Sequence, residues 1–273
     1  MKLAISGKGG VGKTTLAAVL ARLFADDGQP VIAIDADLDS SLAAALGVPD
    51  ADKIVPIAEM ADLIAERTDS GKKGYGKLFK LNPAVTDIPE KYSVVHKGVR
   101  LMVLGAPNKS GGAGCACPEN VFLRTLTSHL ALQRNETLVL DMEAGTEHLG
   151  RATCEAMDAM IVVVEPGRRS MALAEHVRHM AKDIGIKRVF LAANKVRSPK
   201  DLETLRQALP QDVPFLGAIS FDNALMTADL EGRPVDEVGG KLFEEVNAIR
   251  GELLRQLEPK NAPAKHAKGR ERE

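Results

Sequence analysis

The chain has 273 residues, 45% hydrophobic and 27% charged, proportions close to those of globular domains and unlike collagen-like, coiled-coil or wholly disordered chains. A chain this long buries about three quarters of the surface its unfolded form exposes, so a substantial core is available, in one or two domains. Lys and Arg total 36 against 37 Asp and Glu, a net charge of -1, which exerts no global pull toward nucleic acid or anionic lipid.

At the N-terminus a short apolar run, Lys2 to Ser6, leads into a glycine-rich loop and is too short for a secretory core or a membrane span, which predicts a cytoplasmic chain. Short apolar runs then alternate with helical patterns, predicting a doubly wound α/β fold with a mostly parallel sheet flanked by helices. The expected strands are Lys2 to Ser6, Val31 to Asp35, Val99 to Leu104, Thr137 to Asp141, Ala159 to Glu165, Lys187 to Asn194 and Phe215 to Ser220. Several are unbroken Val/Ile/Leu runs, as a sheet covered on both faces requires. Leu16, Val19, Leu20 and Leu23 repeat at helical spacing, and Gly28 and Pro30 end that helix. The domain is expected over residues 1–258, with an irregular insertion at about 49–98. Residues 259–273 lack bulky apolar side chains and read as a disordered, slightly basic tail.

Gly7, Gly12, Lys13 and Thr14 fit G-x-x-x-x-G-K-[ST] between a strand and an amphipathic helix. Glycines let backbone N–H groups converge on phosphate oxygens at a helix N-terminus, Lys13 neutralises the β and γ phosphates, and the Thr14 hydroxyl binds Mg²⁺. The expected ligand is ATP with Mg²⁺, held by Gly9, Gly10, Val11, Gly12, Lys13, Thr14 and Thr15.

The whole string Gly7-Lys8-Gly9-Gly10-Val11-Gly12-Lys13-Thr14-Thr15 resembles the deviant Walker A loop of the MinD, ParA and nitrogenase-iron-protein superfamily. The resemblance implies a homodimeric P-loop ATPase in which Lys8 reaches across the interface to the partner's nucleotide. It makes Asp37, in IDADLDSSL, the carboxylate that orients or activates the attacking water. Asp141, ending the strand TLVLD, becomes the acid that reaches Mg²⁺ through water, Gly145 a γ-phosphate sensor, and Asn194 an adenine contact. Asp35 and Asp39 read equally well as helix-capping or hydrated residues. Glu143, Glu147 and His148 fit either coupling to the metal loop or structural hydrogen bonding.

Three cysteines are too few for a disulfide scaffold, so free or metal-bound thiols are expected. Cys115 and Cys117 stand two apart in GGAGCACPEN, before a helix expected to begin near Glu119, and one chain offers only two thiolates. A two-fold dimer presents the loop twice, and four sulfurs suit square-planar Ni²⁺ or tetrahedral Zn²⁺. With GCACPEN and DMEAGTEHLGR, the chain up to about residue 257 resembles the CooC-type nickel-insertion ATPases of carbon monoxide dehydrogenase maturation. That implies a nickel enzyme, carbon monoxide dehydrogenase or a relative, as client, with no membrane or nucleic-acid partner. A MinD/ParA-type positioning ATPase is the main alternative; it would need an amphipathic tail or dense basic face. Resemblance to the nitrogenase-iron-protein branch, an Fe–S reductase, would imply a cluster cysteine just beyond Asp141, where Met142 to Gly145 has none, and Cys154 reads as packing. His176 and His179, and the basic set Arg168, Arg169, Arg178, Lys182, Lys187 and Arg188, read as solvated faces.

Overall fold

The computed structural model describes residues 1–37, 40–70, 79–105, 118–142, 153, 156–167, 185–186 and 188–258. Its frame is one sheet of eight strands: β1 (Lys2–Gly7), β2 (Val31–Ala36), β3 (Val94–His96), β4 (Val99–Val103), β5 (Thr137–Met142), β6 (Ala159–Val164), β7 (Val189–Val196) and β8 (Phe215–Ser220). The spatial order is β3-β4-β2-β5-β1-β6-β7-β8, and every pairing is parallel except β3 with β4. The α/β fold expected from the alternating pattern is therefore present.

β1, β5 and β6 are buried at every position, because helices cover both faces of the sheet. Successive side chains point to opposite faces. Leu3, Ile5, Val139, Ile161 and Val163 accordingly join one core with Leu16, Leu20 and Phe24 of α1 (Lys13–Asp26). Val246, Ile249 and Leu253 of the long C-terminal helix Gly240–Leu257 complete that layer. Ala4, Leu138, Leu140, Met160 and Val162 face the other core, against Phe122, Leu126 and Leu130 of the helix Pro118–Gln133. α1 ends where Gly28 N–H and Gln29 N–H donate back to the Ala25 and Phe24 carbonyls, just before Pro30.

Three details depart from the sequence reading. β7 begins at Val189 and continues through Val196, so Asn194 lies inside the strand, in a stretch where the register against β8 is irregular. Residues 49–98 contain the helices Ala61–Thr68 and Ile88–Lys91, and also β3, which was not expected. A two-residue turn joins β3 to β4, with Lys97 at φ 44 and Gly98 at φ 79, the paired positive φ values whose twist matches an antiparallel hairpin. Residues 259–273 lie outside the described residues.

Candidate functional site

The strand order reverses about β1: the chain runs from β1 to β2 on one side and from β5 to β6 on the other. Crevices beyond the carboxyl ends of strands at such a point are where open α/β sheets bind ligands. The loop after β1 lies there and opens into α1, and it lines a cavity of about 950 Å³. Gly9, Gly10, Gly12, Lys13, Thr14 and Thr15 form one wall of the cavity; Asp37, Ser41, Asn194, Lys195, Arg197 and Phe221 are among the others.

Gly12 has φ 95 immediately before the helix, a conformation side-chain-bearing residues rarely adopt. A Cβ there would stand 2.0 Å from Asn194 Nδ2, so glycine is required by both backbone and space. Lys13, only 6% exposed, places Nζ 3.5 Å from Asp37 Oδ2. The Thr14 hydroxyl donates to Asp141 Oδ2 at 2.6 Å and accepts from the Ser41 hydroxyl at 3.3 Å. Lys13, Thr14, Asp37 and Asp141, four of the residues singled out in the sequence, thus meet at one strand end. Lys8 lies 3.6 Å from Glu165 of its own chain. Asn194, 2% exposed, donates its amide N–H to the Val11 carbonyl, and its amide oxygen accepts from Lys195 N–H, each at 2.8 Å.

Asp35 is fully buried at the end of β2, where its carboxylate accepts from the N–H groups of Asp37 (3.2 Å) and Leu42 (2.9 Å). It therefore holds both ends of the segment that carries Asp37. Burial pushes its pKa up to about 6, against these backbone hydrogen bonds. Burial likewise raises Asp141 to about 7, opposed chiefly by the Thr14 hydroxyl. The two acids are register partners on neighbouring strands.

Both pKa values stand above those of the unfolded chain, so the folded form binds protons more tightly, and ionising these carboxylates costs stability. Lowering the pH of nucleotide- and Mg²⁺-free protein from about 8 toward 5 should raise its thermal midpoint by a few degrees. Asp141→Asn should flatten that dependence in a calorimetric pH series, and a midpoint that falls steadily over the same interval would contradict it.

Asp141 Oδ1 is buried with no hydrogen-bond partner among the described residues. An orphaned carboxylate oxygen beside a threonine hydroxyl is a hard-oxygen donor set that fits Mg²⁺ with its retained waters. Cys115, Cys117, Cys154, Asp39, Glu143, Gly145, Glu147, His148, His176 and His179 lie outside the described residues, as do Arg168, Arg169, Arg178, Lys182 and Lys187. Arg188 donates to the Leu257 carbonyl at 2.9 Å. No group of three or more His, Cys, Asp or Glu in metal-holding proximity occurs among the described residues. Lys195 and Glu165 were not singled out in the sequence as site residues. The signals available were an acid at the end of VVVE and a lysine beside Asn194.

A glycine loop at the switch point of a parallel sheet, with a buried lysine and a threonine–aspartate pair behind it, defines a P-loop ATPase. The chain belongs to the family described as the CobQ/CobB/MinD/ParA nucleotide binding domain, whose pattern it matches over residues 2–235. It is 42% identical over 262 residues to the carbon monoxide dehydrogenase accessory protein CooC of Rhodospirillum rubrum, covering 95% of this chain and 98% of that protein. An ATP-binding protein of Methanocaldococcus jannaschii is 39% identical over 93% of this chain and 98% of its own length. Among solved structures, an AMPPNP-bound putative plasmid partition protein of Borrelia burgdorferi superposes with a TM-score of 0.69 at 16% identity, over 93% of this chain and 99% of that one. No helix among the described residues is long and apolar enough to cross a membrane.

Proposed function

We propose that this ATPase is a homodimeric metallochaperone that carries nickel between the Cys115 and Cys117 pairs of two copies and serves carbon monoxide dehydrogenase or a related nickel enzyme. The reading is carried by the likeness, over 95% of the chain, to an accessory protein of carbon monoxide dehydrogenase. The C-x-C loop adds the chemistry: two thiolates per chain are half a coordination shell, and a two-fold axis supplies the other half. Zn²⁺ competes for the same sulfurs.

In this reading Lys13 neutralises the β and γ phosphates of ATP, and the N–H groups of Gly9 to Thr15 cradle them. Thr14 and, through water, Asp141 would hold Mg²⁺, which would supply charge neutralisation for the phosphates. Asp37 orients the attacking water, Asn194 faces the adenine side, and Lys8 leaves Glu165 to reach the partner's nucleotide. ATP favours the closed dimer that assembles four thiolates; loss of the γ phosphate reopens it and releases the cargo.

Asp37→Ala should preserve ATP affinity and slow cleavage by about a hundredfold or more, because the cradle remains while the water loses its orientation. Phosphate release measured beside equilibrium nucleotide binding checks this, and near-normal turnover would remove Asp37 from the reaction. The function as a whole is tested by titrating Ni²⁺ and Zn²⁺ into anaerobic protein with and without ATP, with elemental analysis and mass in solution as readouts. One metal per two chains, in a species of doubled mass, is expected. Saturation at one metal per single chain, or no retention, would overturn the carrier role and leave the ATPase intact.

A further inference from the structure

Near the end of β7, Lys195 has φ 58, a left-handed backbone that a lysine seldom adopts. Such conformations persist where surrounding contacts over-determine them, and they gather at functional sites. The contacts here lead to the phosphate loop. Lys195 Nζ donates to the Gly10 carbonyl at 2.6 Å and lies 3.7 Å from Glu165 Oε2. Its backbone N–H is held by Asn194, whose amide N–H in turn holds the Val11 carbonyl. Two consecutive loop carbonyls are therefore gripped by two consecutive residues of β7.

In a trans peptide the carbonyl and the N–H point in opposite directions. Holding the Gly10 carbonyl thus also aims the Val11 N–H, which closes the loop's turn onto the Lys8 carbonyl at 3.2 Å. Holding the Val11 carbonyl aims the Gly12 N–H in the same way. A phosphate cradle made of N–H groups works to the extent that these planes are set before ligand arrives.

We propose that Lys195 is a positioning residue of the phosphate loop, and that its left-handed backbone is retained because it delivers the ammonium group to the Gly10 carbonyl. The proposal rests on the assignment of Gly7 to Thr15 as the phosphate loop. Glu165, which faces both Lys8 and Lys195, keeps the ammonium over the loop.

The test uses Lys195→Asn and Lys195→Gly, both tolerant of a left-handed backbone and both too short to reach Gly10. The readouts are the thermal midpoint of ligand-free protein, amide exchange at Val11 and Gly12 without ligand, and the affinities for ATP and for inorganic tripolyphosphate. Both variants should melt at or near the wild-type temperature, exchange at least tenfold faster at the Val11 amide than wild type while Gly12, still aimed through Asn194, changes less, and lose at least tenfold in affinity for both ligands. A merely structural role would lower stability and affinity together. The role is overturned if exchange and affinity are unchanged, if the midpoint falls in step with affinity, or if ATP binding weakens while tripolyphosphate binding does not. Failure of the wild type to bind tripolyphosphate would overturn the loop assignment itself, an outcome distinct from normal binding by the variants.

Discussion

Lys13→Ala should reduce ATP hydrolysis to background, a loss of at least about a thousandfold, while the ligand-free protein folds as before. Lys13 is the buried cation of the loop, at the first position of α1. There its charge adds to that of unpaired helix N–H groups, at the place where negative charge accumulates as the γ phosphate departs. The ammonium stands 3.5 Å from Asp37 Oδ2. The substitution therefore removes one side of an ion pair whose carboxylate is partly exposed, and the sheet beneath keeps both its apolar layers. Phosphate release under saturating Mg²⁺ and ATP, beside a melting curve, separates the two effects. Undiminished turnover would reject Lys13 as the phosphate cation, whereas a collapsed melting curve would assign the residue to folding.

The second large effect is expected for Cys115→Ser and Cys117→Ser. In the proposed dimer each substitution would remove two of four thiolates, and a hydroxyl is a poor ligand for Ni²⁺ or Zn²⁺. High-affinity binding of one metal per two chains should be lost in both variants. Association promoted by metal alone should vanish with it, because a ligand stabilises only the state it binds better. Association promoted by ATP should remain, since the phosphate loop is untouched. Equilibrium dialysis and sedimentation of the three proteins decide the matter, and tight retention of metal by either serine variant would show that the sulfurs are incidental.

The parts of this molecule that could be read in the sequence are those where one local pattern has one physical cause. The seven parallel strands were visible because burial on both faces demands unbroken apolar runs such as Ala159 to Val164. Thr14 and Asp141 could be singled out because one stands in a glycine-loop motif and the other ends an apolar run, and the structure brings their side chains within 2.6 Å. β3 was not visible: it is three residues long and none of them is fully buried, so its only signal was the Lys97-Gly98 turn. Lys195 and Asn194 show a different limit. Their contacts with Gly10 and Val11 join residues far apart in the chain, and neither hydrophobic period nor spacing records such a meeting. Asp35 read as a helix-capping or hydrated residue, yet it is fully buried, and its grip on the N–H groups of Asp37 and Leu42 joins positions that no local pattern links.

The place of β1 in the sheet also bears on how the protein is made. Of the eight strands β1 is made first, yet its two neighbours are β5 and β6, with Leu3 in register with Val139 on one side and Ala159 on the other. At roughly 5–20 residues per second, about 7–30 s pass between synthesis of the phosphate loop and synthesis of the strand that closes its second flank. During that interval two unpaired edges of a strand that is buried at every position in the finished fold stand open, a form prone to wrong pairing. The loop after β1 lacks its second flanking strand on the nascent chain until β6 has emerged, and the contacts of Asn194 and Lys195 with it wait longer still for β7. Nucleotide binding to ribosome-stalled chains should therefore switch on abruptly with length, so a fragment ending before β7 gains nothing from ATP and depends on chaperones for its solubility.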